Sequence, residues 1–243
     1  MKKIVCALAA ATMAAAAVLA PMYFRGALRL NNPSELEYPV RGVDVSAYQG
    51  EIDWPVLAGQ GLDFAFIKAT EGSGYVDERF PYNWEHAAET DLRVGAYHFF
   101  SFDSAGSTQA ENFIGAVEAR EGMLPPVVDV EFYGRYRRKG PEDAAAAQEE
   151  LRVLLDALTR EYGMRPILYV TREAYNLLIA DGFSDYDIWS RNVLREPKLF
   201  SGREWTFWQY SDRGRLDGYN GEEKYIDLNV FRGTMAEFEA YGR

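Results

Sequence analysis

The sequence predicts an α/β fold in which a largely parallel sheet closes into a barrel. Short β-rich runs alternate with helical patterns four or five times, the pattern of strand–helix–strand units and hence of parallel strands. The last third changes character: three further strands are separated by Gly-rich loops with little room for helices, so the barrel finishes irregularly. With 243 residues, 48% hydrophobic and 14% aromatic, the chain can build a substantial core.

From the N-terminus, the uncharged stretch Ile4 to Phe24 lies between Lys2-Lys3 and Arg25, which marks residues 1–27 as an export signal or an N-terminal membrane anchor. Pro21 opposes cleavage after Ala20, while the alanine-rich composition weakens an anchor, so both readings stand. Residues 28–40 read as a polar linker and 41–243 as the folded domain. Strands are expected at 41–46, 63–69, 93–100, 124–131 and 165–170, then at 187–190, 205–210 and 225–230. Between them, Asp53 followed by Trp54-Pro55 supplies a helix cap and a first-turn proline. The segment Glu142 to Tyr162 places Ala147, Leu151, Leu154, Leu155, Leu158 and Tyr162 on one stripe.

Composition narrows the function classes. Without Lys2, Lys3 and Arg25, 23 basic residues face 37 acidic ones, a net charge of −14 that argues against a nucleic-acid partner. The one cysteine, Cys6, lies in the leader, so the domain has no disulfide and no thiol nucleophile. Two histidines, His86 and His98, without an H-x-x-x-H pattern give no hydrolytic zinc site, and G-x-S-x-G, Walker A and G-x-G-x-x-G are absent. Neither metal nor cofactor is expected. The basic run Arg135 to Lys139 is either a solvated loop or a contact to anionic groups of a polymeric substrate.

Acid chemistry by carboxylates remains. Asp129-Val130-Glu131 closes the apolar run Leu124 to Val128, and alternation along a strand puts both acids on one face. Like charges this close disfavour simultaneous ionisation, so one carboxyl can hold a proton while the other stays an anion, as glycosidic-bond cleavage requires. A solvated acidic pair at a strand end is the alternative. Barrels of this kind gather function at the C-terminal ends of their strands, where Asp44, Ser46, Lys68, Glu71, His98, Gln209 and Tyr210 also fall; Asp227 lies early in its strand.

Seven ordered segments then become informative together: Gly42 to Gly50, Ile52-Asp53-Trp54, Phe66 to Gly72, Gly95 to Phe99, Asp129-Val130-Glu131, Trp208 to Ser211, and Ile226 to Asn229. They resemble the motifs of glycoside hydrolase family 25, the Chalaropsis-type lysozymes or N-acetylmuramidases. The resemblance covers about residues 41–232. It implies a TIM-like incomplete barrel of five β/α units followed by three further strands. It implies Glu131 as proton donor to the oxygen between N-acetylmuramic acid and N-acetylglucosamine, assisted by Asp129, with Asp44 and Asp227 as further catalytic acids. It places Tyr48, Tyr97, Trp208 and Tyr210 in groove-lining segments, whereas bare aromatics at these positions would more often be core. Arg191 departs from the family pattern after Ile188-Trp189 and falls at the groove edge. The implied partner is peptidoglycan, met by an exported monomer that touches membrane only through its N-terminal segment. A silent glycan-binding barrel and an endo-N-acetylglucosaminidase acting on chitin-like polymers are the competing readings.

Overall fold

The computed structural model describes residues 2–24 and 31–243. Arg25 to Leu30, the end of the expected leader and the start of the linker, lie outside the described residues. Helix α1 runs over Lys2–Phe24 with Pro21 inside it. Among the described residues no helix is long and apolar enough to cross a membrane.

The domain opens with β1 (Arg41–Val45) and α2 (Trp54–Ala58). Strands β2 (Phe64–Glu71) and β3 (Tyr75–Val76) form a hairpin that leads into α3 (Phe80–Ala87). Three more units follow: β4 (Arg93–Phe99) with α4 (Gly106–Ala116), β5 (Val127–Val130) with α5 (Ala144–Tyr162), and β6 (Ile167–Val170) with α6 (Arg172–Ala174), which continues as a π turn over Tyr175–Ile179. Then come β7 (Ile188–Arg191), β8 (Phe207–Gly214), β9 (Ile226–Phe231) and α7 (Met235–Ala240). Five β/α units followed by three strands is the arrangement the sequence predicts. The short hairpin strand β3 is an addition.

Eight of the described strands close a mixed barrel in the order β1-β2-β4-β5-β6-β7-β8-β9. Neighbours are parallel except at β9, which runs antiparallel to both β8 and β1. The helices begin where their caps dictate. Asp53 accepts from the Val56 amide at 3.2 Å, and Asp143 accepts from the Ala146 amide at 2.9 Å, which starts α5 two residues later than its apolar stripe suggests. Gly163, at φ 67°, ends α5 in the left-handed conformation.

Two apolar layers result. Inside the barrel, Phe64, Phe66, Val127, Ile167, Trp189, Phe207 and Phe231 fill the lower half, and Phe238 of α7 plugs the floor. Gly42 and Gly95 make this possible, because a Cβ at either would lie 2.4 Å or 2.6 Å from the ring of Phe64 or Phe66. The second layer lies between strands and helices and receives Leu151, Leu154, Leu155 and Leu158 of α5.

Trp208 and Tyr210 belong to that outer layer, which corrects their placement in a groove. Gln209 points into the barrel, so its two neighbours on the strand point out. Trp208 is 2% exposed, packs edge-on against Tyr38 and Trp205, and donates its Nε1 to the Asn192 carbonyl at 2.9 Å. Tyr210 is buried beside it, its hydroxyl accepting from Arg41 at 3.2 Å. Trp208→Ala should therefore cost about 3–5 kcal/mol of unfolding free energy in denaturant titrations and leave KM near its wild-type value. A raised KM at unchanged stability would return the indole to the groove.

Candidate active site

The C-terminal rim of the barrel opens into a polar cavity of about 420 Å³, lined among others by Asp44, Lys68, Tyr97, Asp129, Glu131 and Asp227. All four acids singled out in the sequence therefore meet in one place. Asp227 reaches the rim although it lies early in its strand, because β9 runs the opposite way. The β1–β9 register sets it directly across from Asp44.

Hydrogen bonds fix the deepest pair. Asp44, 9% exposed, accepts at Oδ2 from Gln209 Nε2 at 2.9 Å and Asn229 Nδ2 at 2.7 Å. The same Gln209 nitrogen donates to Asp227 at 3.1 Å, and Gln209 Oε1 accepts from the Tyr169 hydroxyl at 3.0 Å. Asn229 in turn accepts from Trp189 Nε1 at 2.8 Å. Burial raises the pKa of Asp44, opposed by the donors of Gln209 and Asn229. It also raises that of Asp227, reinforced by the charge of Asp44, so the two hydrogen-bonded carboxyls hold one proton between them.

Asp129 and Glu131 form the second pair. Asp129 is 8% exposed, and its Oδ1 has no hydrogen-bond partner among the described residues. Its pKa is pushed well up by burial and then by the charge of Glu131. Burial also raises Glu131, with the nearby Arg191 cation pulling the other way. The two carboxyls titrate as a unit that retains a proton above the ordinary carboxylate range. Arg191 itself is tied to Asp212 at 2.9 Å. Lys68 donates to Glu71 at 2.8 Å and lies over the Phe99 ring at 5.1 Å, a second cation at the cavity wall. Among the described residues no group of His, Cys, Asp and Glu side chains is arranged to hold a metal ion.

Residues 43–219 match the model of glycosyl hydrolases family 25. The chain belongs to that family. The solved structure of a family 25 glycosyl hydrolase from Bacillus anthracis superposes with a TM-score of 0.82 at 53% identity, covering 88% of this chain and 97% of that one. The uncharacterized protein YegX of Escherichia coli K12 is 37% identical over 209 residues, 84% of this chain and 74% of YegX. Lysozyme M1 of Streptomyces globisporus is 32% identical over 216 residues, 83% of this chain and 70% of that protein.

Within this family 25 barrel, two of the four aromatics singled out in the sequence line the cavity. Tyr97 rises from its wall, a phenol held protonated by burial and by Asp44, Asp129 and Asp227. Tyr48 stands 67% exposed at the mouth, on a turn pinned by Ser46 to Gln49 at 2.9 Å and by the Ala47 amide to Asp77 at 2.9 Å. In the sequence Gln209 is only a polar strand-end residue, Asn229 only the end of a motif segment, and Tyr169 carries no signal of its own. The usable signal was the buried Asp44 anion, which needs donors from neighbouring strands. His98 is a buried structural residue, with Nε2–H donating to Gln109 at 3.1 Å and Nδ1 accepting from Thr70 at 2.7 Å; burial lowers its pKa to about 4, so it is neutral.

Because the Asp44/Asp227 pair holds a proton in the folded state that an unfolded chain releases near pH 4, the native form binds more protons and its stability falls as pH rises through the elevated native value of the pair. Asp227→Asn mimics the protonated form. It should raise Tm at pH 8 and shrink the loss between pH 5 and pH 8, measured by calorimetry. An unchanged pH dependence would mean that Asp227 is ionised in the native state.

Proposed function

We propose that the protein is an exported peptidoglycan hydrolase that cleaves the β-1,4 bond between N-acetylmuramic acid and N-acetylglucosamine. Glu131 acts as general acid and Asp129 assists. One observation carries this reading: Asp129 presents a buried, unpartnered carboxylate oxygen in the acid cavity, two residues along the strand from Glu131. Leaving a buried acceptor unmatched costs about 1–3 kcal/mol, a cost that a ligand donor relieves. The N–H of a substrate acetamido group is such a donor.

Held there, the acetamido oxygen faces the anomeric carbon and can attack it while Glu131 passes its proton to the departing glycosidic oxygen. The cyclised acetamido intermediate carries positive charge, which the Asp129 carboxylate stabilises. Water then opens it, giving its proton to Glu131. Asp44 and Asp227 share one proton beneath this pair and add negative potential to the site. The similarity to Lysozyme M1 supports a wall glycan as substrate.

Glu131→Gln keeps the shape but has no transferable proton, so turnover on purified peptidoglycan should fall by about 10² to 10⁴ with folding intact. Asp129→Asn should be comparably severe. Mass spectrometry of wild-type digests should show N-acetylmuramic acid at the new reducing ends. Near-normal turnover of Glu131→Gln overturns the assignment, and N-acetylglucosamine ends overturn the bond.

The charge pattern around Ile4 to Phe24 supports export, with the leader either removed or kept as an anchor. Cell fractionation with N-terminal sequencing should find the domain outside the cytoplasm. A full-length cytoplasmic protein would refute this.

A further inference from the structure

A second cavity, of about 650 Å³, opens on the same rim as the acid cavity, between the loops that follow β4 and β5. Its walls carry opposite charges. Arg138 and Lys139 are exposed and make no ion pair among the described residues, whereas Arg135 is already held by Asp103 and Tyr136. Glu142 and Glu150 line the same space. Phe100, Phe102 and Tyr136 add aromatic surface to the lining. A polyanion would meet the two glutamates and a polyamine the two cations, so neither fits. A ligand that carries a carboxylate and a free amine matches both walls.

A run of packed rings links the walls of the two cavities. Phe99 lines the acid cavity and packs on Tyr133 with ring centroids 5.2 Å apart, and Tyr133 stacks on Phe102 of the second cavity at 5.8 Å and 21°. An extended peptide advances about 3.3–3.6 Å per residue, so a segment of about three residues spans these two ring-to-ring steps. We propose that the second cavity is a specificity site for the peptide substituent of the glycan strand, binding a short peptide with a free carboxylate at Arg138 and Lys139 and a free amine at Glu142. The proposal rests on the peptidoglycan reading of the acid cavity. It gives the basic run after the D-x-E strand a role: the loop that leaves Glu131 carries Arg138 and Lys139 into the lining of the second cavity.

The test compares the full chain with an Arg138→Ser/Lys139→Ser double variant on two substrates, peptidoglycan as isolated and the same material stripped of its peptides by an amidase. Exposed charge contacts are individually weak, so kcat/KM on the peptide-bearing glycan should fall by about three- to ten-fold, through KM, with no change on the stripped glycan. Equal losses on both substrates, or none on either, overturn the site. If the wild-type chain cleaves neither glycan, the hydrolase reading fails on its own. Titration calorimetry with the synthetic tripeptide alanyl-D-glutamyl-diaminopimelate then decides the second cavity: saturable binding weakened in the double variant upholds it, and absence of binding overturns it. Glu142→Gln should weaken binding of this tripeptide but not of an analogue whose side-chain amine is acetylated. Equal weakening of both overturns the pairing of Glu142 with the amine.

Discussion

Asp44 Oδ2 is a single buried oxygen to which the upper half of the barrel is referred. Its donors come from β8 and β9, and those donors are themselves oriented by Tyr169 of β6 and Trp189 of β7. An anion so far from water is tolerated only when such dipoles are fixed around it, and the fixing works in both directions. A barrel strand that slipped by one residue would turn Gln209 or Asn229 outward and leave the carboxylate bare. The antiparallel insertion of β9 between β8 and β1 is what permits the arrangement, since it brings Asn229 and Asp227 to the same rim as Asp44.

Above this floor the cavity gathers more negative charge than it can ionise. Asp44, Asp129, Glu131 and Asp227 lie near two cations, Lys68 and Arg191, each already paired with another acid, Glu71 and Asp212. Protons fill the deficit, one between Asp44 and Asp227 and one between Asp129 and Glu131, because desolvation makes full ionisation costly. The two pairs differ in how their lone pairs are used. The lower pair is matched by amides at fixed distances, whereas Asp129 keeps one oxygen unmatched. That asymmetry separates a pair that holds the site together from a pair that has room to react.

Much of this was legible in the sequence. Alternation of β-rich runs with Asp53-capped and Leu-striped helices sets the order of elements, and D-x-E at the end of an apolar run places two acids on one face. The spacing of Trp208 and Tyr210 correctly gives them a common face. It does not say which face, and Gln209, less conspicuous than its aromatic neighbours, is the residue that turns inward. Aromatic side chains suit a sugar-binding groove and the seam under a helix equally well, so residue type could not decide. Asp227 was located by motif alone, since a rule about strand ends would have set it at the wrong end of the barrel. Strand β3 pairs through two residues, too few for any periodic signal.

Closure of the barrel joins the beginning of the domain to its end. The Asn229 contact to Asp44 crosses 185 positions of chain, and β1 pairs along its length with β9 as well as with β2. During synthesis, then, β1 emerges first and must wait for nearly every other residue before its second neighbour exists. Contacts of such sequence separation slow folding, because loop-closure entropy is lost before the contact is gained. Until β9 arrives the nascent sheet has two open edges and an unfilled interior, a form open to aggregation and to capture by chaperones. The late D-L-N segment that completes the acid site is thus also the segment whose arrival allows the barrel to fold.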